Sequence, residues 1–181
     1  MDSLEKARAC ALRLIKFRPR SEAELKTRLG REGFSASTID TLLAELKRKD
    51  FVNDAKFARY FATQRMTMKP MSRRALAADL KSRGIEFQWI EQALNEATEG
   101  TDELETARAL AQSRSSHLKG LKPEAAKRRL FGFLSRRGFS SDIAYRVIRD
   151  VTARGSHPRE SEDQTPSSIR SRIPPSGGLT E

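Results

Sequence analysis

The sequence has few of the residues on which disulfide-bonded proteins, zinc proteins and membrane proteins depend. Its 181 residues contain one cysteine and two histidines, and no run of about 18 apolar residues that would span a bilayer. A single cysteine excludes an internal disulfide framework and a zinc site of several cysteines, and it fits a reducing compartment. We therefore expect a cytoplasmic protein with no transmembrane helix and no signal peptide.

Motifs for catalysis and for cofactor binding are also missing. The chain has no Walker A sequence and no dinucleotide-binding fingerprint. His117 stands alone near a helix end, His157 lies in a polar tail, and the paired glutamates fall in first turns of helices, where the helix dipole favours them. The sequence predicts no catalytic residue, no cofactor and no metal ion, so we expect a protein that is not an enzyme.

The content of apolar residues is low and the content of charged residues is high. Apolar residues make up 37% and charged residues 33% of the chain, with ten glycines and seven prolines. This composition does not favour a sheet-centred enzyme with a large core or a loop-rich β protein. It is typical of amphipathic helices that each bury one stripe.

Positive charge is in excess, and its location is informative. The chain has 35 basic and 24 acidic residues, a formal net charge of +11. Residues 152–181 are neutral and contain six serines, four prolines and three glycines, a composition that predicts a disordered tail. The excess therefore lies on residues 1–151 and indicates a polyanionic or acidic partner.

An internal repeat of about 50 residues appears when Gly33, Gly84 and Gly138 are placed in register. Each copy has a proline upstream, Pro19, Pro70 and Pro123, and an Ala-Arg pair before it. Each copy also has a leucine eight residues before the glycine, a leucine four before it and a large apolar residue directly after it: Leu25, Leu29 and Phe34; Leu76, Leu80 and Ile85; Leu130, Leu134 and Phe139.

These positions predict where helices end and begin. A glycine just past a helix adopts the left-handed conformation without strain, and the residue after it contacts the residue five positions back. The prolines mark helix starts, Ser21 with Glu24 forms a capping box, and Ser72 holds the matching place in the second copy. The predicted helices are 3–17, 21–32 and 37–49; 54–67, 72–83 and 87–98; 102–118, 124–137 and 141–152.

The predicted fold is all-α: an elongated tandem array of three three-helix repeats with a disordered C-terminal tail. The repeats are assigned to residues 1–50, 51–100 and 101–151, and the tail to residues 152–181. A single unit of this size buries little surface alone, so neighbouring units are expected to stabilise one another. Helical spacing predicts core positions for Trp89, Phe57, Tyr60 and Phe61, and Cys10 is expected to be a small packed residue.

The basic residues are the candidates for binding. Arg31, Arg83, Arg136 and Arg137 precede the repeat glycines, where the helix dipole also favours cations. Arg73-Arg74 and Lys127-Arg128-Arg129 lie in the first halves of their helices, where the dipole disfavours them, which favours a role toward an anionic partner. The residues predicted to bind that partner are Arg20, Arg65, Lys69, Arg73, Arg74, Arg83, Lys127, Arg128, Arg129, Arg136 and Arg137.

The repeats resemble the RecX family over about residues 5–151. The resemblance rests on the strings Arg20-Ser21-Glu22-Ala23-Glu24-Leu25, Asp54-Ala55-Lys56-Phe57-Ala58-Arg59 and Arg136-Arg137-Gly138-Phe139-Ser140. The middle repeat carries the most specific part, although Lys69-Pro70 stands where the family usually has glycine-proline.

The resemblance implies a non-enzymatic regulator of the RecA recombinase. Such a protein binds the RecA–single-stranded DNA filament and damps its recombinase and co-protease activities, with consequences for DNA repair, recombination and the SOS response. The implied partners are the RecA filament, the single-stranded DNA within it and naked DNA, bound by a monomer with no membrane contact. Two alternatives are a direct DNA-binding protein of the helix-turn-helix type, since each repeat has that outline, and a helical scaffold that binds no nucleic acid.

Overall fold

The computed structural model describes residues 4–118 and 120–154, and within these ranges every regular element is an α-helix. The predicted all-α tandem array is confirmed, and the helix ends lie within one or two residues of those predicted. The nine helices are α1 (Leu4–Phe17), α2 (Glu22–Arg31), α3 (Ala36–Arg48), α4 (Asp54–Met68), α5 (Arg73–Ser82), α6 (Phe87–Ala97), α7 (Glu103–Ser116), α8 (Pro123–Arg136) and α9 (Ser141–Arg154).

Each group of three helices encloses its own hydrophobic core. The first helix of each repeat presents two fully buried alanines, so the other two helices approach it closely. The second helix supplies the two leucines found in the sequence repeat, all of them buried. Burial of one leucine stabilises a fold by about 1.5–3 kcal/mol, so these positions account for the regular spacing of leucines.

The three repeat glycines end their helices as predicted. Gly33, Gly84 and Gly138 have positive φ angles of 89°, 77° and 83°. In each repeat the residue after the glycine donates its backbone N–H to the carbonyl of the leucine five positions back, at 3.2–3.3 Å, as in Phe34 to Leu29. This pattern is the Schellman motif, which turns the second helix of each repeat sharply into the third.

The Ala-Arg pair of each repeat ties the first helix to the third. The alanine is buried in the core, and the arginine reaches a carboxylate twelve residues after the repeat glycine. Arg8 pairs with Glu45 at 2.6 Å, Arg108 with Asp150 at 3.1 Å, and Arg59 with Glu96 at 3.9 Å. The pair therefore belongs to the internal architecture of the repeat.

Neighbouring repeats meet head to tail through the same structural parts. The start of the second helix of one repeat contacts the glycine turn of the next repeat. Ser21 Oγ donates a hydrogen bond to the Arg83 carbonyl at 2.7 Å, and the Ser72 N–H donates to the Arg137 carbonyl at 2.9 Å. A Cβ atom at Gly84 would lie 2.3 Å from the Cβ of Ala23, and one at Gly138 would lie 2.4 Å from the Cβ of Ala75. Both glycines are thus needed for close approach as well as for the turn.

Two expectations are corrected in the described residues. The sequence predicts Tyr60 in the core, but the structure leaves it 50% exposed, because α4 turns it away from the cluster around buried Phe57. Phe61 and Trp89 are partly buried against that cluster. The third repeat also continues past residue 151, since α9 runs to Arg154 with Val151 against its core. Cys10 lies partly buried against the core of the first repeat, as expected.

The remaining predictions for the tail concern residues 155–181, which lie outside the described ranges. So do Lys119 and His157. No helix among the described residues is long and apolar enough to cross a membrane.

Candidate binding site for an anionic partner

A basic groove lies where the first repeat meets the second. It consists of two adjoining cavities of about 380 and 320 Å³, and both are lined by Arg18 and Arg83. We call this surface the junction groove. Its cationic lining residues are Arg18, Arg20, Arg28, Arg31, Arg65, Lys69 and Arg83, and the one carboxylate that lines it is Glu24.

Part of this positive charge is neutralised within the protein. Glu24 pairs with Arg18 at 2.9 Å and also with Arg83 across the junction. Asp79 pairs with Arg65 at 2.9 Å and lies 3.4 Å from Arg83. These contacts place Arg65 and Arg83, both predicted to bind a partner, in a network that holds the second repeat to the first.

Phe61 belongs to the same network. The guanidinium groups of Arg83 and Arg65 lie 4.3 and 5.2 Å from the centre of its ring, at the distance of cation–π contacts. Phe61 also stacks on Phe57, with their ring centres 5.8 Å apart. The floor of the groove is therefore fixed by aromatic packing, which keeps the two arginines in place.

Three cations of the junction groove have no carboxylate partner in the described part of the chain: Arg20, Arg31 and Lys69. Arg31 and Lys69 are exposed, and Arg28 beside them pairs with Glu32 at 2.8 Å. Arg20 is partly buried, and its Nε donates to the Leu14 carbonyl at 3.4 Å. These are the groove residues whose charge is available to a partner.

The charge around Arg20 is crowded. Burial, followed by the positive charges of Arg18 and Arg28, lowers the pKa of the Arg20 guanidinium from its usual value, while Glu24 acts in the opposite direction. A bound phosphate or carboxylate would relieve this repulsion. Arg20 and Lys69 both line the junction groove, and binding by them stays a prediction.

The other side of the same junction is acidic. A cavity of about 440 Å³ there is lined by Glu22, Asp54 and Glu86, with Lys47 and Trp89. Asp54 accepts a hydrogen bond from the Glu22 backbone N–H at 2.9 Å, and burial is the main cause that raises its pKa. The first junction therefore has basic residues in one cavity and acidic residues in another, and this charge separation would orient an anionic partner toward the junction groove.

Arg73 has a structural explanation that sequence reasoning missed. Its guanidinium lies 3.0 Å from Glu91 and donates to Asn95 at 2.7 Å and to Thr98 at 3.3 Å. These contacts join α5 to α6 inside the second repeat. A carboxylate of the third helix thus compensates the unfavourable position of Arg73 in the helix dipole, so this position does not by itself indicate a partner. Binding by Arg73 stays a prediction.

Arg74 and Arg137 lie at the second junction. Arg74 donates to the Gly138 carbonyl at 3.4 Å, and Arg137 donates to the Pro70 carbonyl while lying 5.1 Å from the ring centre of Phe133. Arg137 is the counterpart of Arg83, since each directly precedes its repeat glycine and each reaches back to the preceding repeat. These two predicted site residues therefore hold repeats two and three together.

The remaining predicted cations lie on α8 and do not face the junction groove. Lys127 pairs with Glu124 at 2.9 Å. Arg128, Arg129 and Arg136 are exposed, and the structure describes no ion pair for them. We call these three residues the α8 arginines; they form a second basic surface, on the third repeat.

Sequence reasoning left Arg18, Arg28 and Arg31 out of the predicted set. Arg28 and Arg31 are three residues apart on one helix, a spacing that places them on one face. Their place in one groove with Lys69 depends on how the first two repeats join, and no local sequence pattern encodes that junction. Within the described ranges there is also no cluster of three or more metal-ligating side chains.

The comparison with known families supports one assignment for all three repeats. The family models for the first, second and third three-helix domains of RecX match residues 7–46, 53–94 and 101–148. Regulatory protein RecX of Amycolatopsis mediterranei is 37% identical over 146 residues, which cover 81% of this chain and 83% of that protein. Regulatory protein RecX of Thermobifida fusca is 35% identical over 149 residues, which cover 82% of this chain and 80% of that protein.

Solved structures show the same fold. The crystal structure of RecX from Lactobacillus salivarius superposes with a TM-score of 0.66 at 20% identity and covers 83% of this chain and 97% of that one. A second crystal structure, of a regulatory protein RecX, superposes with a TM-score of 0.67, and the superposition covers 81% of this chain and 71% of the other chain. The agreement extends over the three-helix array as a whole.

Proposed function

The chain belongs to the RecX family of regulatory proteins, and from that membership we propose that it regulates the RecA recombinase by binding the RecA–single-stranded DNA filament. Binding inhibits or modulates recombination and the co-protease activity of the filament, and no covalent step is involved. The protein acts as a monomer in the bacterial cytoplasm, in DNA repair and the SOS response. The observation that carries the proposal is the match of all three repeats to RecX domains over a chain with three unpaired groove cations.

The junction groove and the α8 arginines are proposed as the contacts with the filament. Arg20, Arg31 and Lys69 line the groove at the first junction, and the α8 arginines lie exposed on the third repeat. A partner that presents phosphates or carboxylates at regular intervals suits an array that carries basic residues in more than one repeat. Several weak charge contacts then combine, and their joint strength depends on the salt concentration.

The junction contacts support this arrangement. Arg83 and Arg137 join each repeat to the one before it, and these contacts contribute to the separation of the two basic surfaces. A chain with loose repeats would lose conformational entropy in that step and would bind more weakly. The junction arginines are therefore positioning residues, and the unpaired cations are the proposed contacts.

The proposal is tested by titrating the protein into preformed RecA–single-stranded DNA filaments while ATP hydrolysis is followed. We expect hydrolysis to fall with increasing protein, and the effect to weaken as salt is raised. Unchanged hydrolysis at all protein concentrations, with filaments intact by light scattering, would contradict the proposal.

The alternative is a DNA-binding protein of the helix-turn-helix type, favoured by the three sharp glycine turns between helices. It predicts tight and sequence-dependent binding to a duplex in the absence of RecA. Selection of duplexes from a random pool separates the two functions. Recovery of one sequence motif, together with unchanged RecA activity, would establish the alternative.

A further inference from the structure

The junction groove contains an exposed tyrosine that its charge alone does not explain. Tyr60 is 50% exposed and lines both the larger groove cavity and an adjacent cavity of about 330 Å³. Gln64 Nε2 donates to Tyr60 Oη at 3.3 Å, within the same helix. Several rings of this chain are at least as exposed, so what distinguishes Tyr60 is its place inside a groove lined by cations.

Two of the rings near Tyr60 are packed within the protein, while the face of Tyr60 is open and Phe51, 53% exposed, lines the adjacent cavity. Phe57 is buried against Phe61, and Phe61 carries the guanidinium groups of Arg65 and Arg83. In the part of the chain that the structure describes, no ring and no cation stacks on Tyr60. The groove therefore offers one aromatic face, in contact with solvent, above a floor that is already packed.

Unpaired cations lie on either side of that face. Lys69 lines the larger groove cavity with Tyr60, and Arg20 lines the adjacent cavity with it. The carboxylate in that adjacent cavity, Asp50, is paired with Lys56. An aromatic face between two available cations is the arrangement with which proteins bind a single nucleic-acid strand: the base stacks and the phosphates meet the cations.

We propose that the junction groove binds a single nucleic-acid strand, with one unpaired base stacked on Tyr60 and the flanking phosphates held by Arg20 and Lys69. The inference deepens the proposed function and rests on it for the biological role of the strand. A duplex fits poorly, because its base faces are already stacked within the helix. An acidic peptide would use the cations and leave the aromatic face of Tyr60 uncovered.

The test uses a fluorescein-labelled oligothymidylate and the full chain without RecA, with binding followed by fluorescence anisotropy. Tyr60→Ala is expected to weaken binding by about 5- to 150-fold, which corresponds to the stacking of one base. Tyr60→Phe keeps the ring and is expected to bind as the wild type does. Tyr60→Leu keeps apolar area without an aromatic face and is expected to resemble the alanine variant.

The matched control is the other tyrosine of the chain. Tyr145 is 64% exposed on α9 and has its ring 4.9 Å from that of Phe131, so Tyr145→Ala removes a comparable exposed ring outside the groove. We expect this variant to bind oligothymidylate with unchanged affinity. With three unpaired groove cations, wild-type affinity is expected to fall about 20-fold between 50 and 200 mM salt.

The outcomes separate this inference from the proposed function. If Tyr60→Ala is folded by circular dichroism and binds oligothymidylate like the wild type, the strand site is wrong even where RecA inhibition persists. If Tyr60→Leu binds oligothymidylate as well as Tyr60→Phe does, no base stacks on an aromatic face at this position and the inference is again overturned. If Tyr60→Ala alone loses the oligonucleotide while wild-type protein leaves RecA unaffected, the site stands and the proposed function falls.

Discussion

The residue directly before each repeat glycine reflects whether a repeat has a neighbour in front of it. In the second and third repeats this residue is an arginine, Arg83 or Arg137, which contacts the preceding repeat. In the first repeat it is Glu32, the C-cap residue of α2, which pairs with Arg28 of that helix. One sequence position thus has different tasks at the end and inside the array, which explains why helix-dipole reasoning alone could not assign it.

The glycines allow a matched test of the junction at the scale of single residues. Gly33→Ala places an alanine at positive φ with no atom within 4 Å of its Cβ, and we expect a loss of about 1–2 kcal/mol in the free energy of unfolding. Gly84→Ala meets the same backbone cost and also brings its Cβ against Ala23. Overpacking adds about 1–3 kcal/mol. Equal losses for the two variants in urea unfolding would show that the repeats do not meet at Gly84.

Glu45 gives a prediction that depends on pH. Hydrogen bonds from Lys49 and then Arg8 lower its pKa to about 2 from an ordinary value of 4.5. A carboxyl with a lowered pKa in the folded state stabilises the protein above the unfolded pKa, and this contribution is lost as the pH falls through the folded value. We expect Glu45→Gln to be less stable than the wild type at pH 7, with a difference that shrinks between about pH 4.5 and 2. Urea unfolding at pH 7, 4 and 2.5 measures the difference, and a constant difference across that range would contradict the assignment.

At the scale of helices, two serine N-caps differ in their further partners, since the Ser35 hydroxyl also hydrogen-bonds to side chains of its own helix and the Ser21 hydroxyl to the next repeat. Ser35 is exposed and accepts from the Thr38 N–H at 3.2 Å, whereas Ser21 is buried, accepts from the Glu24 N–H at 3.1 Å and donates to the Arg83 carbonyl. Ser35→Ala is expected to cost about 0.5–2 kcal/mol. Ser21→Ala is expected to lower the free energy of unfolding by a further amount of about 1–3 kcal/mol, because it leaves the Arg83 carbonyl of the next repeat without its hydrogen bond.

Thermal unfolding followed by circular dichroism measures both serine variants, and hydrogen exchange localises the effect. Ser21→Ala is expected to increase exchange in α2 and at the turn before α6. An increase confined to α2 would mean that the Ser21 hydroxyl does not support the neighbouring repeat.

The helices could be predicted from sequence because their signals are local. Glycine at positive φ, serine N-caps and leucines spaced four apart act within one or two turns, and the helix ends follow them closely. The ion pairs are different. Arg73 reaches Glu91 and Arg83 reaches Glu24, 59 positions away in the chain, and only the packing of whole helices brings such groups together. The exposure of Tyr60 is of the same kind, because helical spacing alone does not show which face of α4 a neighbouring repeat leaves open.

At the scale of the whole molecule, the candidate site was only partly visible in the sequence. The net charge of +11 predicts an anionic partner, but it does not separate the cations that pair within the protein from those that remain available. The predicted residues with partners inside the protein are Arg65, Arg73, Arg74, Arg83, Lys127 and Arg137. Arg20, Lys69 and the α8 arginines remain as candidates, and Arg31 joins them.

The most direct test of the account reverses two unpaired cations of the junction groove, in Arg31→Glu/Lys69→Glu, and measures inhibition of ATP hydrolysis by RecA filaments. The control, Arg48→Glu/Arg146→Glu, makes the same change in net charge at exposed cations that do not line the groove, and Arg48 ends α3 as Arg31 ends α2. We expect the concentration of the groove variant that gives half-inhibition to be at least about tenfold higher than that of the wild type. The control variant is expected to inhibit nearly as the wild type does. If both folded variants inhibit equally well, the junction groove does not bind the filament.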